Sequence, residues 1–502
     1  MRVQVPVTYQ KPTSEGTKPY GAGRGASMNA RAIPSAILTV ALALGARPGL
    51  ATSFRLTDLG TLGGTVSSGS ELSESGQVTG ASFTAGNEAR HAFVWDGTTL
   101  VDLGTLGGAD SFGLAINASG QVAGLSQTAG NEARHAFLWD GTTMQDLGTL
   151  GGRVSEGRAI NASGQVTGHS QTAAGATHAF LWDGTRMVDL GTLRGTTSFG
   201  IAINASGQVT GRSQTTAGAF HAFLWAGTRM QDLGTLGGRV SEGHAINAAG
   251  QVTGLSQTAA GAFHAFLWDG TTMLDLGTLG GGLGIGNDIN AAGQVTGNSF
   301  TARDATIHAF LWDGGTLRDL GTLGAFNLLS SAAAINDSGQ VVGFAEILSG
   351  VPHAFLWDGT AMHDLNTLID PADPLQPFVT LQFGVDINDL GQILADGCDS
   401  RLNECHAYLV SPIAAAPDAA AQIEALLGVV LSLNLKAGIG NALDSKLQNA
   451  LAALNRDQQD NRSAVGILNA FIHSVEAQRG KALTTEQADQ LVSAAQDVID
   501  EL

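Results

Sequence analysis

A β-propeller of about eight four-stranded blades, mainly β and closed by its own N- and C-terminal strands, followed by a small all-α bundle, is the fold class this sequence predicts. Three observations carry it. One unit recurs eight times at a spacing of 43 to 45 residues until the last copy; the first and last copies are incomplete in complementary ways; and after Pro412 glycine-rich turns give way to apolar residues at helical spacing. Composition agrees: 69 of the 502 residues are Gly, and charged residues make up 14%, against about 25% in an ordinary soluble domain. With 43% hydrophobic residues and a formal charge of -19, collagen, intrinsic disorder and a basic nucleic-acid binder are poor fits, and no nucleic-acid partner is expected.

Residues 1–51 read as a leader and signal peptide. Ile33 to Ala46 form an apolar run preceded by Arg31 and followed by small residues ending at Ala51, the order of parts in a secretory signal. The run falls short of the about 20 residues that span a bilayer, so no transmembrane segment is expected in the mature chain. Met28 stands where such a signal begins, which leaves Met1 or Met28 as the start. The destination read from this segment is extracellular or the cell surface, with the periplasm as the alternative.

The repeat array occupies residues 52–411. His-Ala-Phe starts at His91, His135, His178, His221, His264, His308 and His353, with His-Ala-Tyr at His406. Asp-Leu-Gly-Thr-Leu starts at Asp58, Asp102, Asp146, Asp189, Asp232, Asp275 and Asp319, with Asp364-Leu-Asn-Thr-Leu as the eighth. Each unit offers four strand-like runs: HAFLW, ended by an Asp-Gly turn; a Met-x-Asp-Leu run; an Ala-Ile-Asn run; and Gln-Val-Thr-Gly after a turn whose Asn117, Ser119 and Gly120 suit a left-handed Gly. HAFLW is apolar on both faces, so it needs cover from both sides. The array opens on the second run (Phe54 to Leu62) and ends on the first (His406 to Val410); joining the ends completes one blade and closes a ring. A solenoid is the competing architecture, and it would gain nothing from that offset.

These motifs, DLGTLGG, IN-x-x-GQV-x-G and HAFLW over residues 54–411, resemble the bacterial exported HAF-repeat proteins, named for the tripeptide. The resemblance implies an extracellular propeller-like array with no established activity and no catalytic residues to carry over. Ala226 departs from the pattern, standing where the neighbouring copies have Asp.

After a linker at 412–417, residues 418–502 read as about four helices. Asp418 suits a first N-cap; Ile423, Leu426, Leu427, Val430 and Leu433 form one apolar stripe, Leu447, Leu451 and Leu454 a second, and Val465, Leu468, Phe471, Ile472 and Val475 a third. Thr484-Thr485-Glu486-Gln487 reads as a capping signal. LNAFIHSVEA and LTTEQADQL resemble the FIMAH domain, an accessory module of secreted microbial proteins, which implies attachment or partner docking.

Chemistry has little support. The eight repeated histidines fit a structural hydrogen bond in every blade better than a metal or pH device. Cys398 and Cys405, the only cysteines, suit a disulfide in an exported chain, with a metal or redox pair lacking the required spacing. No cofactor motif occurs, and none is expected. Carboxylates crowd the last unit at Asp370, Asp373, Asp386, Asp389, Asp396 and Asp399; convergence on calcium is one reading. A glycan-cleaving pair drawn from Asp370, Asp373 and Asp386 is the enzymatic alternative. Between copies, two turns stay uniform while the other two connections vary, and those two emerge at one end. That variable rim is the candidate binding face, with Arg153, Glu156, Arg239, Glu242, Asp370 and Asp373 as its ligand residues and an extracellular polysaccharide or surface protein as partner; neutral loop drift is the competing account.

Overall fold

A computed structural model describes residues 53–324, 328–413, 419–433, 435–454 and 461–502. The expected leader and signal, and Asp418, lie outside the described residues. Eight four-stranded antiparallel blades follow one another: Gly63–Asp102, Gly107–Asp146, Gly151–Asp189, Arg194–Asp232, Gly237–Gly277, Gly280–Gly321, Ser330–Asp364, and an eighth made of Val379–Pro412 with Phe54–Asp58 as its outermost strand. The first strand of each blade packs on the first strand of the next, and the eighth on the first, so the inner strands form a closed circle about the axis. Chain closure is as the sequence predicts: Phe54 pairs with Pro412 and Asp58 with Tyr408 in an antiparallel ladder.

Within a blade the Ala-Ile-Asn run is innermost, Gln-Val-Thr-Gly second, HAFLW third and Met-x-Asp outermost. The third strand needs cover on both faces and receives it. Its Ala and Phe are fully buried in every blade from Ala92 and Phe93 to Ala354 and Phe355, with Tyr408 in the eighth; each Phe contributes roughly 2–3 kcal/mol of burial. Within each blade two glycines permit the tight strand and turn geometry. Gly124 holds a position where a Cβ would collide with the Phe112 carbonyl oxygen, and Gly120 closes its turn at φ 77° with its N–H donating to Asn117 O at 2.9 Å.

The His expectation is met in geometry. His91 Nδ1 lies 2.9 Å from Asp102, and the same third-to-outer-strand pair recurs at His135–Asp146, His178–Asp189, His221–Asp232, His264–Asp275, His308–Asp319 and His353–Asp364. In the eighth blade His406 reaches Asp58 on the N-terminal strand at 2.9 Å, so this copy ties the two ends of the chain. Each blade therefore carries the same internal clasp.

A disulfide joins Cys398 and Cys405, which oppose each other directly in the strand ladder. The four helices are α1 (Ala419–Ser432), α2 (Ala437–Leu454), α3 (Asn461–Gln478) and α4 (Thr485–Glu501). Each packs on the next and α4 returns to α1, around Ile423, Leu426, Leu447, Leu468, Phe471 and Val498. Thr484 caps α4 in a complete capping box with Gln487. The strand before the bundle runs through Pro412, so the first residue assigned to a linker is still sheet. No described helix is long and apolar enough to cross a membrane.

Candidate functional site

The ring has two unlike ends. One, the turn end, carries the Asn-x-x-Gly and Asp-Gly turns; the chain enters there at Ser53 and leaves at Ile413, whose N–H donates to Ser53 O at 3.0 Å. The other, the loop end, carries the connections between second and third strands and between blades.

At the loop end the structure revises the sequence-predicted ligand set. Arg153, Glu156, Arg239 and Glu242 are not in loops: they lie on the inner strands Gly151–Ile160 and Gly237–Ile246. Gly-rich GGRVSEG reads as a loop because its turn-forming composition is that of a connection. Glycine is used there for the tight approach of inner strands. Glu156 and Glu242 are half-buried and already partnered, Glu156 with Arg158 at 2.8 Å and Glu242 with Arg212 of the preceding blade at 2.8 Å. His244 and Arg212 together hold the Glu242 carboxyl below its usual range. Arg153 is exposed and donates to Glu132 O at 2.9 Å; Arg239 is exposed.

Asp373 is also revised. It is buried, and its carboxylate accepts from Leu56 N at 2.8 Å and Leu375 N at 2.9 Å. Ile369 pairs with Phe54, and Asp370 N donates to Phe54 O at 2.9 Å. The insert 369–373 thus covers the free edge of the N-terminal strand and secures closure. Asp386 sits on the innermost strand of the same blade, three strand spacings, or roughly 14 Å, from that outer strand. Two glycosidase carboxylates must stand about 5–10 Å apart, so Asp373 and Asp386 do not form such a pair. Nor do the last unit's carboxylates converge on one calcium position. Asp386 accepts from Leu72 N, Asp396 from Ser68 Oγ and Gly69 N, and Asp399 pairs with Arg401.

The loop end also exposes large apolar side chains. Leu348 is 80% exposed, Leu402 53%, Val351 41% and Phe378 38%. All four belong to connections of blades 7 and 8: Leu348, Val351 and Leu402 lie in second-to-third-strand loops, where blades 1 to 5 carry only Ala-Gly-Asn-Glu-Ala, Ala-Ala-Gly-Ala or Thr-Ala-Gly-Ala, and Phe378 ends the insert that leads into blade 8. The loop bearing Leu402 is held in shape: the disulfide closes its base, Ser400 donates from N and Oγ to Phe378 O at 3.0 Å, and the Arg401 guanidinium lies 4.3 Å from the Phe378 ring centre. Between blades 6 and 7 opens a cleft of about 170 Å³ lined by Leu283, Ile285, Phe300, Ile307 and Phe344, among others.

At the turn end an axial feature escaped the sequence reading. Asn117 Nδ2 donates to Asn161 O at 3.1 Å, and the link repeats from Asn161 to Asn204, Asn247, Asn290, Asn336, Asn388 and finally Ser73 O. This belt is broken once, between Ser73 of blade 1 and blade 2. Around it stand Glu71, Glu74, Asp288, Asp337, Asp386 and Asp389, from blades 1, 6, 7 and 8, most at positions held by Ala in other copies. Ala291 N donates to Asp337, Asp337 N to Asp389 and Asp389 N to Glu74. Several of these carboxylates border a mouth of about 230 Å³. Burial, with Asp386 nearby, pushes Glu71 up to about 8, and burial raises Asp386 to about 7. The visible signal is the swap of Ala for an acid beside the repeated Asn; the clustering itself appears only once blade 8 meets blade 1.

No family model matches the chain, and no curated protein matches it. Among solved structures it is similar to the β-propeller domain of the Trilobed protease from Pyrococcus furiosus, at 13% identity and a TM-score of 0.40 over 64% of this chain and 100% of that one. It is similar too to Porphyromonas gingivalis dipeptidyl peptidase 4, at 11% identity and a TM-score of 0.41 over 65% and 56%. The six-bladed fungal lectin of Aleuria aurantia matches at 13% identity and a TM-score of 0.25 over 43% and 79%. The propeller assignment rests on the strand pairing described above.

Proposed function

We propose that this chain is an exported, non-catalytic binding propeller of the HAF-repeat kind, taking a protein partner at the loop end of blades 7 and 8, while the FIMAH-like bundle attaches the molecule from the turn end. One observation carries the reading: among the described residues, the loops at the end opposite to where the chain enters and leaves expose large apolar side chains in two adjacent blades, 7 and 8. Contiguous exposed apolar surface marks protein contact sites, and loops positioned by a rigid scaffold are where binding concentrates. Export is supported by the disulfide, which persists in oxidising compartments, and by the signal-like order of residues 31–51. A polysaccharide ligand is the second reading, favoured by the near-identity of copies three to five.

The test is binding of the chain from Ser53 onward to extracellular and envelope proteins, and in parallel to a panel of polysaccharides with product analysis. Leu348→Glu with Leu402→Glu should abolish protein binding without changing the thermal midpoint, whereas Leu390→Glu at the turn end should leave it intact. Binding that survives the loop-end pair, or a polysaccharide bound equally by both variants, overturns the assignment. Release of sugar products would restore the enzymatic alternative.

A further inference from the structure

Seven of the eight blade junctions are bridged at the axis by an Asn side chain, and one is not. Blade 1 has Ser73 at the belt position, and its hydroxyl turns to Ser75 Oγ at 2.9 Å. Blade 2 is instead reached by two other links: Ile116 N donates to Glu71 Oε2 at 2.9 Å, and Ser75 Oγ donates to Ala118 O at 3.2 Å. Of these two axial links only the first can change with ionisation; farther from the axis the same junction is joined by Ala92 N to Ser111 Oγ and by Arg90 N to Asp110 Oδ1. Where other junctions use an acid in the same way, at Asp288 to Ile335 N and Asp386 to Leu72 N, the Asn link is present as well.

The Ile116 N–H favours the ionised Glu71 carboxylate, but burial and the acids around it outweigh that bond. Asp386 approaches Glu71 from blade 8 and Asp288 from blade 6, and Glu74 of its own blade interacts with Asp389 and Asp337. Asp396 is engaged by Ser68 and Gly69, and Asp110 by the Arg90 amide. None of Glu71, Glu74, Asp288 and Asp386 is paired with Lys, Arg or His among the described residues. Ionising Glu71 beside ionised Asp386 places like charges in a half-buried site, and repulsion there is far less screened than in open water.

We propose that the ring carries a pH-operated seam between blades 1 and 2, with Glu71 as its latch: the protonated side chain holds blade 2 through Ile116 N, and the ionised one swings out and frees that edge. The velcro closure between blades 8 and 1 is then not where the ring first opens. The sign follows from burial. Glu71 and Asp386 favour the proton more when folded than when unfolded, so their contribution is full below about pH 4 and is lost as pH rises toward about 8.

The experiment is peptide-resolved hydrogen exchange from pH 5 to 9.5, corrected for the intrinsic rate, on the wild type and on Glu71→Gln and Ser73→Asn. Protection over 114–118 should fall at least tenfold across that range in the wild type. It should stay constant in Glu71→Gln, which keeps an acceptor without a charge, and in Ser73→Asn, which supplies the missing belt link. Protection at 201–205, across an intact Asn junction, should not change. Constant protection at 114–118 in the wild type, equal loss at every junction, earlier loss at 54–58, or a pH response retained in Glu71→Gln would each overturn the proposal. If Ser73→Asn fails to fold, the Glu71→Gln comparison decides alone.

Discussion

The two ends of the ring diverge from the repeat in opposite ways. At the turn end the exceptional residues are acids in place of Ala, and nearly all of them accept a backbone N–H from a neighbouring blade. At the loop end they are Leu, Val and Phe in place of Ala and Gly, and they stand in solvent. Repetition supplies the scaffold in both cases, yet departures that acquire partners inside the ring serve its assembly, and departures left without partners are the ones available to another molecule. By that measure Asp373 belongs to the scaffold although it lies in the longest insert, and Leu348 belongs to the surface left open.

Removing Asp373 should have the largest effect: Asp373→Ala leaves the buried Leu56 N–H and the half-buried Leu375 N–H unpaired and should destabilise by about 3 kcal/mol, read by urea unfolding, with early proteolytic release of residues 53–58. Reducing the Cys398–Cys405 bridge should cost about 2.5 kcal/mol in the chain-entropy model and should weaken the proposed partner binding through the loop at 400–403. Asn204→Ala deletes a belt link to Asn247 O and a turn cap to Ser206 N and Gln208 N; about 1.5–2 kcal/mol is expected, against nearly nothing for Arg239→Ala at the exposed loop end.

A pH effect separates the closure from the seam. Asp58 raises the His406 pKa above its ordinary value, with Glu404 assisting. The protonated clasp therefore adds stability that is complete below about pH 6.5 and is lost as pH rises through the raised value; Asp58→Asn should remove that dependence from thermal melts. The smallest change is Ala226→Asp. Elsewhere the turn Asp accepts from two N–H groups, as Asp140 does from Thr142 and Thr143, and restoring it should raise the melting midpoint slightly.

Much of this was legible in the residues themselves. Eight copies, closure through the offset ends, the disulfide pair, the His clasp and the capped final helix follow from motifs that repeat or from local chemistry. Other features depended on long-range geometry. GGRVSEG has the composition of a loop and lies on an inner strand, because approach at the axis demands the same glycines that turns use. Glu71 and Asp386 are 315 residues apart in sequence, and only ring closure brings them together. Asp373 looked like a ligand because it broke the pattern; it broke the pattern to hold Leu56.

The adjacent entry and exit of the chain have a mechanical consequence. Force applied between the two ends would load the antiparallel closure in peeling mode, one rung at a time, beginning with Ile413–Ser53 and then Phe54–Pro412. Peeling is the weak direction of a strand pair, and Ile369, Asp370 and Asp373 grip Phe54 and Leu56 where that tear would start. The insert is placed as a rip-stop on the first strand, at the rungs where such a tear would begin.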